Sequence, residues 1–411
     1  MRKVCCGSIN FSKGSTIAGL AAIISGHAYS GKWIAIFEDR FARYIGCKHA
    51  ISVSSGKMAL NLILKTLLLN PGEEIIVPAF TVPEVIDIII NRKLRPVFVD
   101  IEFETYNIDP DLLEKKISVK TKAILLTHIF GQSSQIERII SIAKKYKLEI
   151  IEDAAQACGA EYKNKKIGSF GRVGYFSFGS LKNLNTVGGG MIVTNDTALA
   201  EKIRQKIGNF RRPSLIKCIS DFLCTIVISI LTHPVLFSLL TYPLLCLLRF
   251  TKYKNASFFQ QAEFTKEKID KDKVKYANFQ AAIGVIQLKN IKEYNTKKQH
   301  NAYLFNRLLK EEKQIKTFPE LKDSNNVYLN YVIRVDNRDK LIKRLFLKGI
   351  YLSKGAIRSC PNIKRFSEFY SPCPKSLILE KQNIYLPIHP LIREKDVFRI
   401  ADLLKEAVKE G

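Results

Sequence analysis

One stretch, residues 148–196, constrains what this chain can fold into more than any other part of it. It opens with a short strand-like run that ends on the carboxylate of Asp153. A second strand-like run, residues 175–178, contains Ser177 and is followed by Lys182 and then by a run of glycines. Ligands of α/β sheets bind at the C-terminal ends of the strands, so we expect Asp153 to face a bound ligand.

An acid at a strand end, a serine and a lysine are the groups that a pyridoxal 5'-phosphate (PLP) site requires. The acid, Asp153, would keep the pyridine nitrogen protonated so that the ring can accept electrons. The lysine, Lys182, would form a Schiff base with the cofactor and then move protons as general acid and base. The hydroxyl of Ser177 would bind the phosphate. These residues therefore predict a PLP cofactor, with Lys182 and Asp153 as the catalytic pair.

The motifs of this stretch resemble those of the DegT/DnrJ/StrS family of PLP-dependent sugar aminotransferases. The resemblance is carried by three segments, residues 152–160 (EDAAQACGA), 176–184 (FSFGSLKNL) and 189–196 (GGMIVTND). It implies Asp153 on the pyridine nitrogen, Gln156 near the ring hydroxyl, Ser177 on the phosphate and Lys182 as the Schiff-base lysine.

A phosphate-binding turn is predicted upstream, where a strand at residues 49–53 leads through small residues into a helix over residues 58–69. Free backbone N–H groups and the helix dipole both favour an anion at such a helix start. Family members usually carry Ser-Gly-Thr here, and this chain has Ser55, Gly56 and Lys57. The resemblance therefore places Ser55, Gly56 and Lys57 at the cofactor and assigns the phosphate to Gly56 and the backbone of Lys57. The threonine hydroxyl is missing, and the charge of Lys57 could replace it.

Three further positions bear on the predicted site. In the family, an aromatic residue two positions after Phe80 commonly stacks on the cofactor ring. This chain has Val82 there, so either the stacking is lost or Phe80 takes part. His128 lies near a predicted strand end and could face the site, although a satisfied structural histidine is the commoner situation.

Strands alternate with helices through residues 74–151, which indicates βαβ units and a mostly parallel sheet. The resemblance implies an α/β fold, the fold-type I PLP-dependent transferase. That fold has a large domain with a mostly parallel, seven-stranded-type sheet and a small C-terminal α+β domain. The predicted organisation is an N-terminal arm (1–32), a large PLP-binding domain (33–212), a hydrophobic insertion (213–263), and a long helix with the small domain (264–411).

Helical periodicity predicts an amphipathic helix over residues 33–44, closed by Gly46, and a long helix from Tyr276 towards Leu309. The small domain is expected to contain strands near 327–335 and 383–386, and helices near 338–348 and 394–408.

The insertion contains a run without formally charged residues, 222–248, that Pro234 and Pro243 interrupt. Its first arm, 222–233, would be about 18 Å long as a helix, too short to cross about 30 Å of hydrocarbon. Both flanks are basic, which places both ends on the cytoplasmic side. We predict a dipping hairpin or an interfacial helix pair that associates with the membrane surface through residues 215–252. A buried subdomain or an oligomer interface is the alternative.

The formal net charge of +27 favours anionic partners, among them nucleic acid, the inner membrane leaflet and a diphosphate substrate. A basic surface without a specific partner is equally open. The chain has no recognisable nucleic-acid motif, so no nucleic-acid partner is predicted. Its nine cysteines form no C-x-x-C pair, so neither a disulfide framework nor a metal site is indicated. The N-terminus lacks the apolar core of a signal peptide, which indicates a cytoplasmic location.

These observations predict an aminotransferase that moves an amino group to a keto group of a nucleotide-linked sugar for surface polysaccharide biosynthesis, with glutamate as the expected donor. The resemblance also implies a homodimer. Some relatives are PLP-dependent dehydratases with histidine at the Schiff-base position, and Lys182 argues against that activity. The other alternative is a non-catalytic, membrane-associated scaffold. It is motivated by departures from the family at Lys57, Val82 and Gly179, the last a position where relatives often carry histidine.

Overall fold

The computed structural model describes residues 2–9, 11–250, 273–318 and 321–409, and omits the side chains of residues 249 and 250. A seven-stranded sheet forms the centre of the large domain. Its strands are, in chain order, β1 (His49–Val53), β2 (Glu74–Pro78), β3 (Arg95–Val99), β4 (Thr121–Thr127), β5 (Glu149–Asp153), β6 (Val173–Ser177) and β7 (Gly190–Thr194).

The predicted mostly parallel sheet is confirmed. The strand order is β1-β7-β6-β5-β4-β2-β3, and only β7 runs antiparallel to its two neighbours. Residues 123–126 of β4 are all fully buried, as expected for a parallel sheet that is covered on both faces. Because the other six strands share one direction, their C-terminal ends meet at one edge, where the predicted site residues lie.

Helices cover this sheet and build the second domain. Those of the described residues are α1 (Lys13–Ile24), α2 (Lys32–Ile45), α3 (Gly56–Thr66), α4 (Pro83–Asn91), α5 (Pro110–Glu114), α6 (Ile136–Lys145), α7 (Thr197–Gly208), α8 (Leu215–Leu231), α9 (residues 234–250), α10 (Asn278–Leu309), α11 (Arg338–Leu347), α12 (Pro374–Gln382) and α13 (Glu394–Lys409).

Local sequence signals explain several helix ends. Helix α2 ends as predicted at Gly46, whose φ of +81° suits glycine and whose N–H donates to the carbonyl of Ala42. Helix α3 begins two residues before its predicted start, because the Ser55 hydroxyl accepts a hydrogen bond from the N–H of Met58 and caps it. It ends at Thr66, three residues before the predicted end.

The small domain has its own core around an antiparallel pair, β8 (Tyr331–Arg334) and β9 (Asn383–Leu386). Helices α11 and α13 pack on it, close to the predicted bounds. The long helix α10 is also confirmed and links the two cores: Ile291 is buried in the large domain and Phe305 in the small one.

The insertion differs from its prediction in one respect. Helix α8 begins at Leu215 and not at Phe222, since Ser214 caps it, so the first arm is 17 residues long and not 12. That is about 26 Å, still less than the roughly 30 Å of a hydrocarbon core. In the described chain no single helix is long and apolar enough to cross a membrane, whereas α8 and α9, bent by 63°, pass that test together. Residues 251–263 of the predicted insertion and 264–272 of the next segment lie outside the described residues.

The insertion packs on the N-terminal segment. The ring of Phe222 lies 6.0 Å from that of Phe11 and 6.1 Å from that of Phe279 on α10. A Cβ on Gly19 of α1 would lie 2.8 Å from the Phe222 ring, so glycine allows α1 and α8 to touch. The predicted arm therefore contains a helix that packs against both α10 and the insertion.

Candidate active site

Three of the predicted site residues meet at the C-terminal edge of the sheet. Asp153 is the last residue of β5 and Ser177 the last of β6, its parallel neighbour. Lys182 lies in the connection from β6 to β7. Because β7 returns antiparallel beside β6, this connection is held across the edge. Its base is closed by the N–H of Phe178, which donates to the carbonyl of Gly189 over 2.9 Å.

The carboxylate of Asp153 is buried and only partly satisfied by backbone. Its Oδ1 accepts a hydrogen bond of 3.0 Å from the N–H of Ala155. Burial raises the pKa of Asp153, while hydrogen bonding and the nearby Lys182 oppose that rise. Its ladder partner on β6 is Tyr175, whose buried hydroxyl interacts with the carboxylate, and its ladder partner on β4 is Thr127, whose buried hydroxyl has no hydrogen-bond partner among the described residues. The Thr127 hydroxyl beside this acid is thus a polar group with which a ligand could form a hydrogen bond.

The amine of Lys182 is buried among groups that shift its pKa. Burial lowers the pKa of its amine to about 8; the charge of Asp153 opposes this shift and that of Lys57 adds to it. An amine with such a pKa is substantially neutral near pH 8, which is the form that attacks an aldehyde. The three charged groups are therefore close enough to influence one another, as one site requires.

The start of α3 forms a cradle beside Ser177. The first N–H groups of a helix have no intrahelical acceptor, and they bind phosphate readily. A Cβ on Gly56 would lie 2.8 Å from the Cβ of Ser177, so glycine keeps this space open. The Ser55 hydroxyl caps the helix, so only the backbone of Ser55 is left for a contact with the phosphate. The cradle, the buried acid and the lysine fit the phosphate, the ring nitrogen and the aldehyde of PLP.

Lys57 lies at the side of this cradle. Its Nζ is 3.5 Å from Oε1 of Glu84 at the start of α4. Its charge lowers the pKa of Lys182, so it lies on the site side of the helix. Glu84 was missed by the sequence analysis, because an acid in a first helical turn is ordinary there. The phosphate role of Lys57 stays a prediction.

The remaining predicted contacts belong to neighbouring loops. Gln156 uses its Oε1 to accept a hydrogen bond of 3.0 Å from the N–H of Phe130. Phe80 is fully buried with its ring 6.2 Å from that of Phe130, and Val82 is the N-cap residue of α4. Contacts of Phe80, Val82 and Gln156 with a cofactor ring stay predictions.

His128 is a structural histidine, as the sequence analysis favoured. Its Nδ1 accepts a hydrogen bond of 3.3 Å from the N–H of Ser134, so the proton is on Nε2. That nitrogen donates to Oε1 of Glu152 over 3.1 Å. Glu152 in turn accepts hydrogen bonds from the N–H groups of Phe170 and Gly171. Both ring nitrogens are therefore engaged inside the fold.

The comparison with protein families gives one match. The model of the DegT/DnrJ/EryC1/StrS aminotransferase family matches residues 16–219 and 248–405. The gap between the two matched ranges, residues 220–247, covers most of α8 and most of α9, the hydrophobic part of the insertion.

Curated relatives include enzymes that act on nucleotide sugars. The spore coat polysaccharide biosynthesis protein SpsC of Bacillus subtilis is 28% identical over 396 residues, 94% of this chain and 92% of that protein. The GDP-perosamine synthase of Caulobacter vibrioides is 41% identical over 184 residues, 45% of this chain and 50% of that enzyme. The dTDP-3-amino-3,6-dideoxy-alpha-D-galactopyranose transaminase of Aneurinibacillus thermoaerophilus is 45% identical over 168 residues, 41% of this chain and 46% of that enzyme. The chain spans about half the length of these last two relatives.

Solved structures show the same fold. S. venezuelae DesV in complex with a ketimine intermediate is 25% identical, with a TM-score of 0.75 and coverage of 96% of this chain and 94% of that one. Helicobacter pylori PseC, an aminotransferase involved in the biosynthesis of pseudoaminic acid, is 22% identical, with a TM-score of 0.79 over 100% of both chains. The fold class predicted from the sequence is confirmed.

Gly56→Ala tests the cradle. The added methyl group would push on Ser177 and distort the cradle. We expect cofactor-free protein to lose about 1.4 kcal/mol or more of its binding free energy for PLP, which is a tenfold or larger fall in affinity. Absorbance titration with PLP measures the affinity. Gly208→Ala is the matched control, because a Cβ there meets no atom within 4 Å. An unchanged affinity of Gly56→Ala for PLP would contradict the claim that the start of α3 binds the cofactor phosphate.

Proposed function

This chain belongs to the DegT/DnrJ/EryC1/StrS aminotransferase family, and from that premise we propose that it is a PLP-dependent aminotransferase acting on a nucleotide-linked keto sugar. The observation that carries the proposal is the convergence of Asp153, Ser177 and Lys182 on one sheet edge beside the α3 cradle. Each group would serve a different part of the cofactor.

The roles follow from chemistry and position. PLP, when bound, supplies an electron sink for the substrate. Asp153 would hold a proton on the ring nitrogen, and its burial strengthens that ionic contact because few waters compete. Ser177 and the start of α3 would hold the phosphate. Lys182, with its pKa lowered to about 8, would bind the aldehyde and, once the substrate amine has displaced it, would act as general base and acid for the proton at the substrate carbon.

Relatives support the substrate class. The names of the Caulobacter and Aneurinibacillus enzymes refer to GDP-linked and dTDP-linked amino sugars, and a UDP-2-acetamido-2-deoxy-3-oxo-D-glucuronate aminotransferase from Pseudomonas aeruginosa is 40% identical over 190 residues. Lys182 supports transamination over dehydration, and the intact Asp153 and Ser177 weigh against a non-catalytic scaffold. Glutamate as amino donor and a homodimeric assembly are parts of the proposal that rest on the resemblance alone.

The activity test uses purified protein with PLP, glutamate and a panel of nucleotide-linked keto sugars. We expect an amino sugar and 2-oxoglutarate in equal amounts, detected by mass spectrometry. Asp153→Asn should bind PLP but turn over about 100-fold more slowly or worse, because a preorganised charge at the reacting ring is lost. Asp39→Asn, an exposed acid paired with Arg43, is the control. Turnover of Asp153→Asn within a few-fold of the parent would contradict the role of this acid.

We also propose that the enzyme works at the cytoplasmic face of the cell membrane. Helix α8 supports this, because it is apolar on two opposite faces. Phe222 and Cys218 are buried against the protein, whereas Ile216 is 81% and Leu223 53% exposed. A solvent-facing stripe of large aliphatic residues marks an interaction surface.

Helices α9 and α1 extend this apolar face. In α9, Leu239 is 73% and Leu247 65% exposed. In α1, which touches α8 at Gly19, Ile17 is 66% and Ile24 81% exposed. Inserting such side chains into hydrocarbon stabilises binding by about 1.5–3 kcal/mol each. We name the outward surface of α1, α8 and α9 the apolar face.

The charge around the apolar face favours a lipid surface over a second protein as the partner of that face. The chain has no acidic residue before Glu38, and between Glu201 and Glu263 it has only Asp221 among many lysines and arginines. A basic, acid-poor surround suits the anionic inner leaflet, where each nearby cation adds about 1 kcal/mol. The bend of 63° between α8 and α9 suits helices that lie in the interface and do not cross it.

Cell fractionation tests this location. The parent should pellet with membranes in high salt and be released by detergent, because apolar burial is insensitive to salt. The triple variant Ile216→Ser, Leu239→Ser, Leu247→Ser should become soluble while retaining PLP, since it changes only exposed positions. The control is Leu68→Ser, Val119→Ser, Leu347→Ser, at 72%, 91% and 70% exposure away from the apolar face.

Two outcomes would contradict membrane binding. One is a parent protein that stays soluble without detergent. The other is a parent protein that does not float with anionic vesicles and a triple variant that has a lower mass in analytical ultracentrifugation, which would make the apolar face an interface between copies.

A further inference from the structure

A chain of polar contacts connects the loop that carries Lys182 to helix α10. Nζ of Lys298 donates to Oδ1 of Asn183 over 3.0 Å. Nδ2 of Asn183 donates to Oδ1 of Asn295 over 3.1 Å, and Nδ2 of Asn295 donates to the carbonyl of Cys158 over 3.1 Å. Asn183 follows Lys182 directly, and Cys158 lies in the loop after Asp153.

The three hydrogen bonds all run the same way, from the ammonium of Lys298 to the carbonyl of Cys158. A lysine ammonium can only donate and a backbone carbonyl can only accept, so the two amides between them are oriented one way. Each amide is fixed by the donor before it. If Lys298 is removed, Oδ1 of Asn183 loses its donor and this amide is free to turn over, which would break the next contact as well.

Burying the ammonium of Lys298 costs desolvation free energy, which a purely structural residue at this position would avoid. Lys298, Asn183 and Asn295 are each at most 9% exposed. Burial lowers the pKa of Lys298 to about 8, and no carboxylate among the described residues offsets that effect. An apolar side chain of similar length would fill this space without the desolvation cost, so stability alone does not account for a lysine here.

The close approach of Asn295 to the Asp153 loop depends on a glycine. Gly159 has a φ of +98°, and a Cβ on it would lie 2.5 Å from Nδ2 of Asn295 and 2.8 Å from the hydroxyl of Tyr44. A side chain there would displace the amide. The path from α10 to Cys158 is thus open because residue 159 is glycine.

From these contacts we infer that Lys298 is a positioning residue for Lys182. With Asn183 and Asn295, it sets the loop after β6 against the loop after β5, and so holds the amine of Lys182 relative to the carboxylate of Asp153. The inference rests on the proposed function, in which these two groups act on one cofactor. A displacement of about 1 Å between such groups costs up to roughly 100-fold in rate.

The test substitutes Lys298→Met, with Lys297→Met as the matched control, since Lys297 is the exposed neighbour paired with Glu293. The first readout uses cofactor-free protein: the pH dependence of amine acylation at Lys182, followed by mass spectrometry. Burial is the largest cause of the low pKa of Lys182, so a loosened loop should move its apparent pKa from about 8 towards the ordinary value of 10.5. The second readout is hydrogen exchange of residues 179–188, which should become faster.

A structural role would give a different pattern. If Lys298 only stabilised the fold, exchange would rise throughout the large domain and the melting temperature would fall with it. We expect instead a local change with a melting temperature near the parent's, because relief of a desolvated cation offsets the lost hydrogen bond. Should Lys298→Met fail to fold, Asn183→Ala cuts the same contacts from the other end.

The double variant Lys298→Met, Asn183→Ala should behave like either single one, since both break one network. An unchanged acylation profile together with unchanged exchange at residues 179–188 would overturn the inference. Failure of the proposed function is seen separately, as loss of amino transfer in the parent protein. Because acylation and hydrogen exchange are both measured on cofactor-free protein, they test the positioning role of Lys298 whether or not the parent transfers amino groups.

Discussion

The return of the chain from β6 into β7 is the constraint on which the site depends. β7 pairs antiparallel with β6 in an otherwise parallel sheet, so the twelve-residue connection between them cannot leave the carboxyl edge. Lys182 sits in that connection, facing the end of β5, where Asp153 stands. Glycine at position 190 allows the return, because a Cβ there would lie 2.6 Å from the carbonyl of Phe176 and 2.8 Å from the N–H nitrogen of Gly56.

Burial then gives the two reactive groups their chemistry. The same desolvation raises the pKa of Asp153 and lowers that of Lys182, because it disfavours both charged forms. Asp153 would hold the protonated ring nitrogen of PLP as an ionic partner, and the neutral amine of Lys182 would hold its aldehyde. Cofactor binding would then offset the free energy lost when these two groups are buried, and would stabilise the loops around them.

The sequence predicts the parts of the site that lie within short motifs. Asp153 and Ser177 stand at strand ends and Lys182 in the connection that follows, and both features can be read from apolar runs and glycines in the sequence. The contacts of Lys298 and Asn295 with Asn183 were not predicted, because more than a hundred residues separate them in sequence. A signal was present: both residues stand on the buried face of α10, with Ile291 and Ala302, where an apolar residue is usual. Helix α8 was placed seven residues late because the uncharged run, and not its Ser214 cap, was taken as its start.

The central claim is that Lys182 binds the cofactor, and three lysines in this region make the test sharp. Lys57 adjoins the cradle, and Lys298 lies behind the Lys182 loop with the same lowered pKa. Borohydride reduction of the PLP-loaded protein, followed by peptide mapping, identifies the lysine that holds the cofactor. The account predicts the mass of reduced cofactor on the peptide that contains Lys182 and none on those that contain Lys57 or Lys298. Label on either of these two peptides, or on none, would contradict it.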